Sequence, residues 1–204
     1  MKKLLLSLFV AATLWFIMFS PWTASLVNFW CMMAFSAVIL TLLAYFMGGM
    51  RLAQLRFDLR ELFMGLLIAL VLWGVFWLGD KLSQQMFSFA RPQVDLIYGM
   101  KDGQNSWLLS AALLFFIGPA EELFWRYYVQ RQFCGFFSPN VAYLTATFVY
   151  AAVHLPSLNF MLIMSALVCG LVWGGLFRIM PRHFPAIMLS HALWDAAVFV
   201  WFPI

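Results

Sequence analysis

Charged residues are scarce in this 204-residue chain: Asp, Glu, Lys and Arg make up 10% of it, whereas 65% of its residues are hydrophobic. A soluble globular domain covers its core with a polar shell, so this composition excludes that class. The three cysteines, Cys31, Cys134 and Cys169, form no CxxC pair, which argues against a disulfide framework and a thiolate metal site. The HExxH zinc-protease motif is also absent. The chain is therefore predicted to be an integral membrane protein.

Long apolar runs predict an all-α fold, a polytopic bundle of about seven transmembrane helices, with eight as the alternative count. About 20 apolar residues span ~30 Å of hydrocarbon at 1.5 Å per residue. The predicted spans are 4–20, 26–48, 62–79, 107–129, 139–155, 158–177 and 184–202. The first begins MKKLLLSLFV, like a signal peptide, but we interpret it as an uncleaved anchor because it leads directly into another span. No linker or repeat divides the chain, so residues 1–204 are predicted to form one membrane domain.

The basic residues predict the orientation of the bundle. With the N-terminus in the cytoplasm, nine of the twelve Lys and Arg residues lie on the cytoplasmic side, which is the positive-inside pattern. The nine are Lys2, Lys3, Arg51, Arg56, Arg60, Arg126, Arg131, Arg178 and Arg182. The other three lie in one long outer loop, 80–106, whose portion 80–92 is predicted to be an interfacial helix. Because this topology accounts for the basic residues, the lipid bilayer is the expected partner and nucleic acid is not.

A few ionisable side chains interrupt the predicted spans of the second half. They are Glu121, Glu122, Arg126, His154, His191 and Asp195. A charged residue near mid-bilayer costs roughly 2.5–3.5 kcal/mol, so each is a functional candidate. Glu122 and Arg126 are four residues apart and can pair on one helix face. Glu121 lies about 100° round the helix and has no such partner, which makes it the candidate general base.

The two histidines at these depths suggest either hydrogen-bonded catalysis or metal binding. His191 precedes Asp195 by four residues, so a carboxylate on the same face can orient the imidazole. His154 follows Tyr150 at the same spacing. If zinc were bound, its ligands would be Glu121, His154 and His191, which are the residue types of a catalytic zinc site. Because Glu121 is an unpaired base candidate, we expect no metal and no other cofactor. The structural alternative is a buried ion-pair network that locks helices together.

Helix rise predicts the side from which water reaches these groups. Glu121 lies about 21 Å from the outer end of its span, and His191 lies about 10 Å from the inner end of its own. Both positions are nearer the cytoplasm, so we predict a cavity open to the cytoplasmic side. His154 lies about 22 Å from the inner end of its span. The depth of His154 agrees with those of Glu121 and His191 only if that helix begins in the cytoplasm or breaks at Pro156.

Three short motifs occur in order within the apolar spans. EELFWR matches EExxxR, the segment ending in His154 matches FxxxH with Tyr150 in place of Phe, and HALWD matches Hxxx(N/D). Together they resemble the CAAX-processing and bacteriocin-processing family of intramembrane proteases over about residues 107–202, the predicted catalytic half. The resemblance implies an endopeptidase of a bacterial or archaeal cell membrane, acting on a membrane-embedded or lipidated peptide or protein.

The resemblance also implies a role for each matching residue. Glu121 and His154 would activate the attacking water, and His191 and Asp195 would stabilise the oxyanion of the tetrahedral intermediate. Asp195 stands where the family often has Asn. Since an ionised carboxylate repels an oxyanion, we expect Asp195 to act by holding His191 as a cationic donor.

Glu122, Arg126 and Tyr150 are expected to support the catalytic residues. Related proteins are often labelled metalloproteases, whereas the glutamic-type scheme needs no metal. Two other functions stay open: a non-catalytic immunity or scaffold protein that binds a peptide, and a proton-coupled transporter that uses Glu121 and the histidines as a relay. A transporter typically shows repeats and broken helices in both halves, whereas the ionisable groups here all lie in the second half.

Overall fold

The computed structural model describes residues 1–49 and 55–204, and this described part is all-helical, as predicted. Its helices are α1 Lys2–Phe19, α2 Phe29–Gly48, α3 Leu59–Met86, α4 Ala90–Gly99, α5 Ser106–Phe133, α6 Pro139–Ala152, α7 Phe160–Ile179 and α8 Pro181–Trp201. Six of them, all but α4 and α6, are long and apolar enough to cross a membrane. The prediction of a polytopic helical bundle is confirmed. Arg51, one of the nine basic residues in the charge count, lies outside the described residues.

The remaining predicted span corresponds to α6, which is shorter than expected. The helix ends at Ala152, and a 3₁₀ turn follows at Leu155–Ser157. Pro156 has no backbone N–H and disfavours the helical conformation of the residue before it, so the helix stops here. His154 lies in this break. Of the two explanations for its depth, the structure supports the break near Pro156.

The predicted outer loop is more helical than expected, and its boundaries differ. No glycine or proline interrupts residues 80–86, and α3 continues through them to Met86. The predicted interfacial helix at 80–92 is therefore wrong in its bounds, because a separate helix, α4, begins only at Ala90. Gln93 ties α4 to the start of α7. Its side chain accepts a hydrogen bond from the Met161 amide at 3.1 Å, and its carbonyl accepts one from Asn159 Nδ2 at 2.8 Å.

The first helix is an integral part of the bundle. Buried residues recur along α1 at intervals of three or four, which places them on one face. Trp15 on this face is fully buried. Ser7 Oγ lies 3.0 Å from the hydroxyl of Tyr128 on α5. The N-terminal half of the chain thus packs directly against the half that carries the motifs.

Small residues allow the closest helix contacts near the motifs. A Cβ atom at Gly170 of α7 would lie 2.9 Å from Thr147 Cγ2 of α6, and one at Gly174 would lie 3.1 Å from Gln130 Oε1 of α5. The GxxxG spacing thus marks a tight helix contact, which is its usual role in membrane bundles. At Gly118, a Cβ atom would lie 2.8 Å from Ala192 Cα, so α5 and α8 approach each other closely beside both carboxylate motifs.

Helix α5 departs from regular α-helical geometry around its two glutamates. The segment Gly118–Glu122 lies between two π-helical stretches, Leu113–Ile117 and Leu123–Gln130. Pro119 cannot donate a backbone hydrogen bond, which favours a local rearrangement of the helix. Such wide turns are frequent at functional sites. They frame the segment that carries Glu121 and Glu122.

Candidate active site

Glu122 lies at the centre of a fully buried ion cluster. Its Oε1 atom is 3.0 Å from Nη1 of Arg126 and 2.7 Å from Nδ1 of His191. The guanidinium of Arg126 lies over the ring of Tyr150 at 4.6 Å and near that of Trp173 at 5.6 Å. The predicted pair of Glu122 and Arg126 is confirmed. The contact with His191 is additional, and it joins the EExxxR motif of α5 to the Hxxx(N/D) motif of α8.

His191 lies between two carboxylates. Beyond the contact of Nδ1 with Glu122, its Nε2 atom is 3.5 Å from Oδ2 of Asp195, the residue four positions on. The predicted proximity of these two side chains is confirmed. The imidazole also stacks on the indole of Trp173, with ring centroids 3.7 Å apart and planes 19° from parallel. The ring is therefore fixed in orientation by contacts on both edges and on one face.

Glu121 has a different environment from its neighbour, although both side chains are buried. Its Oε2 atom accepts a hydrogen bond from the hydroxyl of Tyr150 at 3.1 Å. Within the described residues, no cation pairs with Glu121, and Oε1 accepts no protein hydrogen bond. Glu121 is thus an unpaired carboxylate, as expected, with one oxygen oriented by a tyrosine that stands where the family pattern has phenylalanine.

Among residues 1–49 and 55–204, His154 makes two hydrogen bonds, neither of them to Glu121. Its Nδ1 atom lies 2.9 Å from the carbonyl oxygen of Tyr150, and its Nε2 atom accepts from the indole N–H of Trp15 at 3.1 Å. Tyr150 therefore stands between the two residues, bonded to Glu121 through its hydroxyl and to His154 through its carbonyl.

This arrangement does not place the three residues of the zinc alternative together as a ligand set. Over residues 1–49 and 55–204, no group of three His, Cys, Asp or Glu side chains is placed to hold a metal ion. Both ring nitrogens of His154 are hydrogen-bonded, and Nδ1 of His191 is held by Glu122. Glu121, His154 and His191 would have to exchange these partners before they could act as ligands.

A cavity of about 550 Å³ brings the predicted site residues together. Its wall includes all four predicted catalytic residues and one supporting residue, namely Glu121, His154, His191, Asp195 and Tyr150. Glu122 and Arg126 are not part of the wall and lie buried behind it. The two adjacent glutamates therefore divide between the cavity surface and the packed interior.

The cavity extends toward the opposite end of the bundle from the one predicted. From Glu121 it continues past Ile117, along α4 at Tyr98, to Ser83 near the end of α3. The prediction of an opening toward the Arg131 end is wrong. At that end α5 presents large side chains that fill the space, all at most 1% exposed: Phe124, Trp125, Tyr128 and Val129. In the topology predicted from the charge count, the end that carries α4 is the outer side.

Two tryptophans at the site were not predicted. Trp15 contacts His154 from α1, and Trp173 stacks on His191 from α7. The chain has ten tryptophans, and neither of these lies within a motif. Nothing in their local sequence distinguishes them from tryptophans that face lipid.

Comparison with known families supports the interpretation of the three motifs as those of an intramembrane protease family. Residues 103–197 match the family described as type II CAAX prenyl endopeptidase Rce1-like. No curated protein and no solved structure matches the chain. The matched region runs from just before α5 into the last turns of α8 and contains all three motifs. It supports an intramembrane protease activity in general. The match to this family over residues 103–197 confirms the resemblance seen in the motifs.

Proposed function

We propose that the protein is a glutamic-type intramembrane endopeptidase in which Glu121 activates the attacking water. The observation that carries this proposal is the environment of Glu121. Its carboxylate borders a cavity, one oxygen is oriented by Tyr150, and no cation within the described residues neutralises it. A positioned carboxylate of this kind suits general-base catalysis, which contributes about 10²–10⁴-fold to rate.

In the proposed reaction, Glu121 first accepts a proton and later returns it. A water molecule gives a proton to Glu121 as its oxygen forms a bond to the carbonyl carbon of the scissile peptide, and the carbonyl oxygen becomes an oxyanion. Collapse of this intermediate breaks the C–N bond, and Glu121 returns the proton to the leaving amine. A free carboxyl end and a free amine end result, and the carboxylate is regenerated.

His191 is the proposed donor to the oxyanion. Glu122 and Asp195 flank its two ring nitrogens at 2.7 and 3.5 Å, a pair of contacts that suits an imidazolium with a hydrogen on each nitrogen. In this scheme Nε2–H turns from Asp195 to the developing negative charge. Asp195 then acts on His191 and not on the oxyanion, which accommodates a carboxylate at a position where the family often has Asn.

The proposed substrate is a membrane-embedded or lipidated peptide or protein that reaches the cavity from the bilayer. The cavity wall is largely apolar beyond the ionisable residues, and phenylalanines from four helices contribute to it: Phe19, Phe29, Phe76 and Phe160. Such a wall accepts an apolar chain end and holds it beside the polar groups that carry out hydrolysis. The related family acts near prenylated C-termini, so lipidated C-terminal peptides are the first candidates.

A peptide panel tests the proposed activity. Purified protein in lipid vesicles is incubated with prenylated, acylated, unmodified and transmembrane peptides, and the products are identified by mass spectrometry. We expect cleavage of at least one membrane-associated peptide by the wild type and none by Glu121→Gln. Saturable binding without cleavage by either protein would contradict the proposal and would favour the immunity or scaffold function.

Access from the end that carries α4 is a separate part of the proposal, and cysteine labelling tests it. Single cysteines replace Ser83 in the cavity wall, Gln104 before α5, or Arg182 at the start of α8, in a background without the native cysteines. In intact cells we expect an impermeant thiol reagent to label Ser83→Cys and Gln104→Cys but not Arg182→Cys. Protection of Ser83→Cys together with Arg182→Cys would contradict access from this end. Labelling of Arg182→Cys alone would invert the topology as well.

A further inference from the structure

The ring of His154 is held from two directions by groups of opposite hydrogen-bonding character. Its Nδ1 atom faces the carbonyl oxygen of Tyr150 at 2.9 Å, and its Nε2 atom faces the indole nitrogen of Trp15 at 3.1 Å. All of these groups are buried. The rings of Trp15 and His154 meet edge-on, with centroids 6.0 Å apart.

These two partners are compatible with one protonation state of His154. A carbonyl oxygen can only accept, so the hydrogen must be on Nδ1; an indole N–H can only donate, so Nε2 must carry the lone pair. An imidazolium would place Nε2–H directly against the indole N–H, with two donors facing each other. The contacts therefore select the neutral imidazole with its hydrogen on Nδ1.

We infer that Trp15 is a positioning residue of the active site, which holds His154 in the neutral Nδ1–H tautomer and occupies the lone pair of Nε2. This inference rests on the proposed function and narrows it. The family resemblance assigns the activation of water to Glu121 and His154 together. With the Nε2 lone pair engaged by Trp15, we assign the proton of the attacking water to Glu121 alone. His154 instead supports the Tyr150 backbone, whose side chain orients Glu121.

The inference extends the active site beyond the region that defines the family match. Trp15 belongs to α1, whereas the match covers residues 103–197. Phe19, one turn further along α1, lies with its ring centroid 5.5 Å from that of His154. A helix outside the matched region thus supplies contacts that determine the state of a motif histidine.

Nuclear magnetic resonance of nitrogen-15-labelled histidine measures the tautomer directly. The chain contains three histidines, so their ring signals can be separated, and a His154→Gln variant identifies those of His154. We expect wild-type protein at neutral pH to show a protonated Nδ1 and an unprotonated Nε2 at this residue. A protonated Nε2 would overturn the inference without any activity measurement.

Trp15→Phe removes the indole donor while it keeps an aromatic ring. We expect the His154 signals to move toward a mixture of tautomers, and kcat to fall roughly three- to tenfold with KM unchanged, the effect of losing one hydrogen bond. The matched control is Trp73→Phe, which removes an indole hydrogen bond to the Phe202 carbonyl at 2.9 Å, at a position that does not border the cavity. This control should leave the His154 signals and kcat within about twofold of wild type.

The outcomes separate this inference from the proposed function. Altered tautomer signals with an unchanged kcat would overturn the positioning role of Trp15 while the peptidase survives. Absence of cleavage by wild-type protein would defeat the proposed function, and with it the positioning role, while the histidine spectrum would still decide the protonation state. If Trp15→Phe does not fold, the Trp15→Tyr variant and the wild-type spectrum test the same inference.

Discussion

Glu121 and Glu122 are neighbours in sequence but occupy two different chemical environments. Glu122 faces the packed interior, where Arg126 and His191 lie within 3.0 Å of one of its oxygens. Glu121 faces the cavity, where its one protein hydrogen bond within the described residues comes from the hydroxyl of Tyr150. A rotation of about 100° between consecutive helix positions is enough to separate them.

Under the proposed mechanism, this difference explains how one carboxylate can stay reactive in an apolar environment. A buried charge needs partners, and a cluster of charges provides them at the expense of reactivity. Here the compensation is concentrated on Glu122, which anchors α5 to α8 through His191. Glu121 lies beside this anchored cluster and needs only an orienting hydroxyl. The variants below each remove one interaction or group that distinguishes the environments of Glu121 and Glu122, or serve as controls for such a change.

The largest expected effect is the loss of activity in Glu121→Gln. An amide cannot accept a proton from water, so we expect cleavage to fall by about 10²–10⁴-fold, the usual contribution of a general base. The melting temperature in detergent should be unchanged or raised, because the change removes a buried carboxylate that has no cationic partner among the described residues. A well-folded Glu121→Gln protein with substantial turnover would contradict the assigned role.

Glu122→Gln should lower both stability and activity. Removal of one partner from a buried ion pair typically costs 3–5 kcal/mol, since Arg126 is left without its carboxylate. The melting temperature should therefore fall well below that of Glu121→Gln, and cleavage should fall because His191 loses its Nδ1 partner. If the two variants melted in the reverse order, their roles would have to be exchanged.

Glu61→Gln is the matched control for Glu122→Gln. Glu61 is also buried and paired with a histidine, His183, at 2.6 Å, and it accepts a hydrogen bond from the Ala186 amide. It does not border the cavity. We expect this variant to be less stable than wild type while the folded protein keeps its kcat, which separates the loss of a buried pair from the loss of catalysis.

Tyr150→Phe should have a smaller effect than either glutamate variant. The change removes the hydroxyl that orients Glu121 and keeps the ring under Arg126, so kcat should fall roughly three- to tenfold. Tyr128→Phe is the control, because its buried hydroxyl lies 3.0 Å from Ser7 and away from the cavity. That variant should change thermal stability more than kcat. Equal loss of kcat in both would argue against a specific role for Tyr150.

Chelation is expected to have no effect at all. Because Glu121 supplies the base and His191 the donor in the proposed scheme, exhaustive treatment with a zinc chelator should leave the initial cleavage rate unchanged. Elemental analysis of the active protein provides the second measurement. Stoichiometric zinc, with activity lost on its removal and restored on its return, would contradict the glutamic mechanism.

The local features of the site were predictable because helix geometry alone fixes them. The spacing of four between Glu122 and Arg126, and between His191 and Asp195, brings each pair together whatever the surroundings. The Pro156 break likewise follows from backbone chemistry. The long apolar runs specified six of the spanning helices within a few residues, except at the end of α3.

The features that depend on packing between distant helices were not predictable. The bond from Trp15 to His154 joins residues 139 positions apart, and that from Glu122 to His191 joins residues 69 apart. The prediction of the direction in which the cavity opens was wrong for a related reason. Helix rise gives the depth of Glu121, but it contains no information on whether Phe124 and Tyr128 fill the space on one side of it.

The size of the cavity limits what form of substrate can enter it. An α-helix about 10 Å across occupies roughly 420 Å³ per turn, so a cavity of about 550 Å³ holds a short stretch of polypeptide and not a whole spanning helix. An intact transmembrane helix is far too large. A substrate must therefore offer a chain end or a stretch that has already unwound, and the ease of local unwinding becomes a selection criterion alongside side-chain identity. Peptides with helix-breaking residues next to the cleaved bond would then be better substrates than uniformly helical ones of equal hydrophobicity.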